Sequence, residues 1–103
     1  MLDKLTFTSF EPYLHHSFSI RSGDEDPLEV ELISVTELSD GGAHSLSEGE
    51  RIPFSIIFRD ARSEPVLQQA IYTVEHPQLG ALGIFLVPIG PDEHGLCYEA
   101  VFN

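Results

Sequence analysis

Proline and glycine punctuate this chain every ten to fifteen residues, and β-branched and aromatic residues fill the intervals. That rhythm excludes long helices, because a helix interior rejects proline and loses roughly 1 kcal/mol at glycine relative to alanine. Short strands joined by turns satisfy it. At 103 residues the length prior gives a single β-domain spanning residues 1–103. A domain of this size buries roughly 60–70% of its unfolded surface, enough for one core without covalent staples. The lone cysteine, Cys97, can form no intrachain disulfide.

Alternation along the chain predicts six antiparallel strands. Residues 6–14 come first and read as a short helix, with Ser9 as N-cap, Glu11 in the first turn and Pro12 tolerated there. Phe7, Phe10 and Leu14 would give it one apolar face, fit to plug an open barrel end. Strands are then expected over residues 16–21, 28–38, 53–59, 70–75, 82–88 and 96–102. In the second of these, Leu28, Val30 and Leu32 share one parity, after which Ile33 and Val35 take the other. A β-bulge near Ile33 explains the switch, since one extra residue swaps the faces; burial on both faces in its second half is the alternative. Turns are expected at residues 22–27, at His76-Pro77-Gln78-Leu79-Gly80 and at residues 90–95; residues 39–51 read as a polar loop. The expected fold is all-β: a small barrel or sandwich of about six antiparallel strands, with a short N-terminal helix.

The strand at residues 82–88 breaks the alternation. Leu82, Ile84 and Leu86 occupy one parity; Phe85, Val87 and Ile89 occupy the other. A strand with one wet face should not be apolar on both. Its outer half is sheltered by the N-terminal segment or by another chain, or else it forms an ordinary exposed patch.

Charge narrows the range of partners. Lys and Arg number 5 and Asp and Glu 17, a formal net charge of −12. A phosphate backbone or an anionic membrane surface needs basic patches, so neither nucleic acid nor membrane is expected. The N-terminus has no basic or apolar leader segment, and residues 81–89 are about half the ~20 needed for a membrane span. A cytoplasmic protein is expected unless a dedicated machine exports it.

Candidate chemistry is sparse. Of five histidines, His15 and His16 are adjacent and point to opposite faces of a strand, while His44 and His94 fall in polar loops. No metal-ligand spacing is present, so no metal site is expected. Asp24-Glu25-Asp26 lacks the register of a calcium loop. Cys97 reads as a small buried hydrophobe with no basic neighbour to activate it. There is no Gly-x-Ser-x-Gly elbow and no phosphate-binding glycine loop. No catalytic residue and no cofactor are therefore assigned, and the chain is expected not to be an enzyme.

The stretch from His76-Pro77-Gln78-Leu79-Gly80-Ala81-Leu82 through Ile84-Phe85-Leu86-Val87-Pro88-Ile89-Gly90-Pro91-Asp92 to Tyr98-Glu99-Ala100-Val101-Phe102-Asn103 resembles a family of small bacterial proteins. That family is known only as a domain of unknown function, number six-nine-one-six in its series. Leu5-Thr6-Phe7 and Arg51 to Arg59 fit the same pattern. Members often carry glycine where this chain has His15 or His16. The family brings no catalytic residues with it. The resemblance implies genomic company: such genes tend to lie near genes for fibre proteins of the phage-tail-collar type.

Local physics accounts for the motif. Pro77 fixes φ and Gly80 relaxes it, making a tight connection after His76. Pro88 marks an edge, bulge or strand end. Tyr98 and Phe102 share a face and anchor the last strand. The leading expectation is a non-enzymatic accessory protein, an assembly partner or chaperone of a fibre-type protein with basic patches, using Phe85, Val87 and Ile89 as its contact. A second copy of the chain is another candidate partner. The alternatives are a small-molecule-binding barrel lined by Phe54, Ile56, Phe58, Tyr72 and Tyr98, and a hydrolase or isomerase using His76 with a loop carboxylate.

Overall fold

A computed structural model describes residues 5–21, 27–38, 53–61 and 67–102. A four-residue helix, α1 (Phe7–Phe10), runs into a 3-10 turn at Glu11–Tyr13 and is followed by six strands. These are β1 (Ser17–Arg21), β2 (Leu28–Glu37), β3 (Phe54–Asp60), β4 (Ala70–His76), β5 (Gly80–Asp92) and β6 (Gly95–Phe102). They close into an antiparallel barrel in the order β1-β2-β3-β6-β5-β4. The expected all-β class, the six strands and the short helix are all present, and of barrel and sandwich it is the barrel that forms. Residues 22–26 of the acidic turn and the polar loop carrying His44 lie outside the described residues.

Pleating puts alternate residues of each strand inside. Phe18, Ile20, Val30, Leu32, Phe54, Ile56, Phe58, Val74, Ile84 and Leu86 are each at most 2% exposed, as are Tyr98 and Ala100. Fully burying side chains of this size stabilises by roughly 1.5–3 kcal/mol each. In β2 the pairing Leu32↔Phe58 is followed by Ser34↔Ile57, so the ladder shifts at Ile33. The bulge moves Val35 onto the core-facing side, where it packs half-buried against the core. It also takes Glu37 off the face shared by Glu29 and Glu31.

The helix starts earlier than the sequence suggests. Thr6 is the N-cap, and Ser9 serves from inside: its Oγ accepts the Thr6 N–H at 3.0 Å. Ser9 lies three residues past the cap, where a side chain reaches back to the orphan cap donor. The helix delivers Phe10 into the barrel end, 5.9 Å from the Phe54 ring and 5.6 Å from Phe102. Those two rings stack at 4.7 Å. The N-terminal segment thus closes an end of the barrel; the outer face of β5 stays uncovered, since Phe85 is 49% and Ile89 48% exposed.

β5 is longer than expected. Residues Gly90, Pro91 and Asp92 belong to it, and the turn falls at Glu93 and His94. The ladder to β6 shifts between Pro88 and Gly90, and this irregularity lets the strand run past two prolines. Gly95 then starts β6 with φ +154°, so close to β3 that a Cβ there would collide with the Asp60 carbonyl.

Between the 3-10 turn and β1, His15 takes φ +71°. The strained residue is held by its backbone: its N–H donates to the Leu32 carbonyl at 2.7 Å, and the His16 carbonyl accepts from Leu32. Left-handed backbone costs a residue with a side chain roughly 1–2 kcal/mol. His15→Gly should therefore stabilise the protein by about 0.5–1 kcal/mol, after subtracting the greater unfolded-state entropy of glycine. The lost contact from His15 Nδ1 to Glu31 is exposed and worth little. Urea unfolding should show a higher midpoint at unchanged slope. Phe10→Ala should do the reverse, losing about 3–5 kcal/mol; a midpoint near wild type would show that the plug carries no load.

Candidate functional site

Three groups of chemically capable side chains stand out. The first is built by the connection from β4 to β5. His76 pairs with Gly80 across the hairpin, and Gly80 takes φ +80°, which L side chains rarely adopt. The His76 ring is buried among Phe18 at 4.6 Å, Tyr13 at 4.5 Å and His16 at 5.5 Å. Its Nδ1 accepts the Gln78 N–H at 3.0 Å, which ties the side chain to its own turn. A backbone N–H can only donate, so the ring proton sits on Nε2, which donates to His16 Nδ1 at 3.3 Å. Burial, and secondarily His16, hold the His76 pKa below its usual 6.5.

That tautomer argues against a metal between the two imidazoles. A ligand nitrogen must offer a lone pair and usually donates from the other nitrogen; His76 has the opposite arrangement. Among the described residues no three His, Cys, Asp or Glu side chains converge as a metal site. The same bonds bear on acid–base chemistry at His76, because both its nitrogens are engaged within the fold. The pairing of His16 with His76, 60 residues apart, had no sequence signal.

The second group lies at the far end of β5. Asp92 Oδ1 accepts the N–H of His94 at 2.8 Å and of Gly95 at 3.0 Å, and Oδ2 accepts Nη2 of Arg59 at 2.7 Å. The two kinds of donor, the His94 amide first, pull its pKa from 3.8 to about 2. Cys97 sits opposite Arg59 in the β3–β6 ladder, so a basic group does lie beside it. Its thiol pKa is nevertheless raised, by burial and by Asp92, which keeps it an inert thiol.

The third is the outer face of β4, β5 and β6. Ile71 is 73%, Phe85 49% and Val101 51% exposed. Ile71 and Phe85 are direct cross-strand partners. Continuing the Val87↔Glu99 register sets Val101 beside Phe85. Glu99 stands between Val87 and Ile57 in adjacent ladders, a carboxylate set among apolar neighbours. Of the three residues expected to make contact, Phe85 is central, Val87 is half-buried and Ile89 is displaced into the irregular stretch. Ile71 and Val101 were missed. Each sits on the solvent parity of its strand, alongside Thr73 or Glu99, and that was the available signal.

Two of the remaining motif residues face each other across the β5–β6 ladder. Pro88 pairs with Tyr98, whose hydroxyl accepts the Leu67 N–H at 2.9 Å. Phe54, Ile56, Phe58 and Tyr98 fill the interior that a ligand would need, and Tyr72 turns its hydroxyl to the Gln68 carbonyl. A depression of about 370 Å³ lies on the outside, lined by Ser19, Glu75, His76, Pro77, Gly80 and Ala81. No helix among the described residues is long and apolar enough to cross a membrane.

These features define a closed, side-chain-filled β-barrel with an apolar outer face. The family model described as Domain of unknown function (DUF6916) matches residues 5–102, and the chain belongs to that family. No curated protein and no solved structure matches it.

Because native His76 resists protonation, the unfolded chain binds more protons between the depressed native pKa and about 6.5. Stability should therefore fall as pH is lowered through that window and stay flat above it. The Asp92 contribution is lost only nearer its pKa of about 2. His76→Asn keeps an acceptor for the Gln78 N–H and removes the titrating ring, so it should abolish the slope between pH 7 and 5 in denaturant titrations. A wild-type slope in this variant would place the acid sensitivity elsewhere.

Proposed function

We propose that this protein is a non-enzymatic interaction protein whose outer face over β4–β6 docks a protein partner carrying basic patches. The observation that carries the reading is the exposure of Ile71, Phe85 and Val101 on three neighbouring strands. Apolar groups clustered on a sheet exterior mark interaction sites more often than scattered ones do. Phe85 is the natural anchor, since large aromatics dominate contact energetics. Glu99, among its apolar neighbours, would meet a partner cation away from bulk water, where an ion pair is strongest. The net charge of −12 would speed encounter with a basic surface.

The partner we favour is a fibre-type protein of the phage-tail-collar kind, with this chain as its assembly accessory or chaperone. That choice rests on the genomic company that the family resemblance implies. Affinity capture from the native host, with wild type and Phe85→Asp side by side, tests the contact. The expected result is a basic partner retained by wild type and reduced at least about tenfold by the variant, since a buried unpaired charge costs several kcal/mol. Equal recovery by both would remove Phe85 from the interface.

A further inference from the structure

We infer that the His16–His76 pair is an acid-released latch: with both rings neutral it holds the N-terminal plug to the β4–β5 hairpin, and a proton on either ring parts them. Antiparallel closure brings the starts of β1, β3 and β5 and the ends of β2, β4 and β6 to one end of the barrel. The plug is moored there at three places. Phe10 packs against Phe54 of β3 and Phe102 of β6. The backbone of His15 and His16 bonds to Leu32 of β2. Tyr13 and His16 meet His76 at the end of β4. The inference concerns this third mooring and does not rest on the outer-face contact proposed above.

The latch follows from where the bare nitrogens are. A neutral imidazole has only one, and a further proton must go there. On His76 it is Nδ1, which accepts the Gln78 N–H at 3.0 Å. On His16 it is Nδ1, which accepts from His76 Nε2 at 3.3 Å. A proton on His76 therefore sets two N–H groups against each other at Gln78. A proton on His16 does the same between the rings. With both protonated, two cations also face each other, their ring centres 5.5 Å apart.

Among the described residues, nothing packed around His76 offers an anion to hold it once charged. The 3-10 turn brings the Tyr13 ring, and Glu11 of that turn is exposed. From β1 come His16 and Phe18, with Phe58 of β3 against Phe18. The start of β5 brings Gly80, Ala81 and Leu82. Glu75 lies on the other parity of β4, bonded to Arg21 at 2.7 Å. Burial, and secondarily His16, already depress the His76 pKa. Protons have a way in, since His16 is exposed and the 370 Å³ depression reaches His76. The β2 mooring is indifferent to these two rings. Its bonds are backbone bonds, and a proton on His15 gives Glu31 a cation to hold. Acid thus frees the plug on its β4 side and leaves it pivoting at His15, the left-handed residue.

NMR of the intact chain between pH 7.5 and 5 tests this. Ring nitrogen shifts at pH 7.5 should show both His76 and His16 with a bare Nδ1. A proton bound only by the parted form raises its population about tenfold per pH unit below about 6.5. The protection factor of the Gln78 amide should fall accordingly, and the Tyr13–His76 ring contact should fade with it. The Leu32 amide should keep its protection within about twofold. In His76→Asn the side-chain oxygen still accepts from Gln78 but takes no proton, so Gln78 protection should no longer depend on pH. Flat protection of Gln78 in the wild type would overturn the inference, as would a His76 proton found on Nδ1. Loss at Leu32 in step with Gln78 would also overturn it, since the whole segment would then be melting. So would wild-type pH dependence in His76→Asn; if that variant does not fold, the wild-type comparison of Gln78 with Leu32 decides alone.

Discussion

A barrel of six strands is too narrow to hold anything except its own side chains, and every other feature of this protein answers to that constraint. Eight strands already give an interior that side chains just fill. Here Phe54, Phe58, Tyr98, Ile56 and their neighbours take up the space completely. Phe10 then closes the end against the stacked Phe54 and Phe102 rings. The aromatic pairs add roughly 0.5–1.5 kcal/mol each beyond their buried area. Such a core is a product of close fit among the described side chains.

The distribution of phenylalanine makes the point. Of the seven in the chain, five are buried and Phe7 packs partly buried against the same core; Phe85 alone faces out. Its neighbours Ile71 and Val101 share its exposure, while the histidines near the β4–β5 turn are occupied in holding that turn to β1. The two regions divide the labour. His76, Gln78 and Gly80 fix the hairpin's shape, and the hairpin presents β5 with its outer face exposed at Phe85.

Most of the barrel was legible in the sequence because it obeys local rules. The parity switch at Ile33 announced a bulge that the ladder contains. Residues 90–92 were misread because Gly and Pro ordinarily end strands, whereas here a ladder irregularity absorbs them. The helix cap was placed three residues late because Ser9 bonds backwards to Thr6 instead of starting the helix. Closure was harder to see. Pairing of β3 with β6 and of β1 with β4 joins segments far apart in the chain, and alternation carries no record of which edges meet. The double apolar parity of β5 was plain, yet its register with β4 and β6 was needed to find Ile71 and Val101. Nothing local could have paired His16 with His76.

The ring of strands is closed by unequal stitches. β3 and β6 share seven aligned pairs and β4 and β5 share seven, whereas β1 meets β4 through only three, at Ser19, Ile20 and Arg21. One of those stitches is backed by the exposed Arg21–Glu75 ion pair, a weak reinforcement in water. A closed cylinder under thermal agitation parts where its fastening is shortest. The seam beside β1 is thus the place where this cylinder would unroll into a flat ribbon.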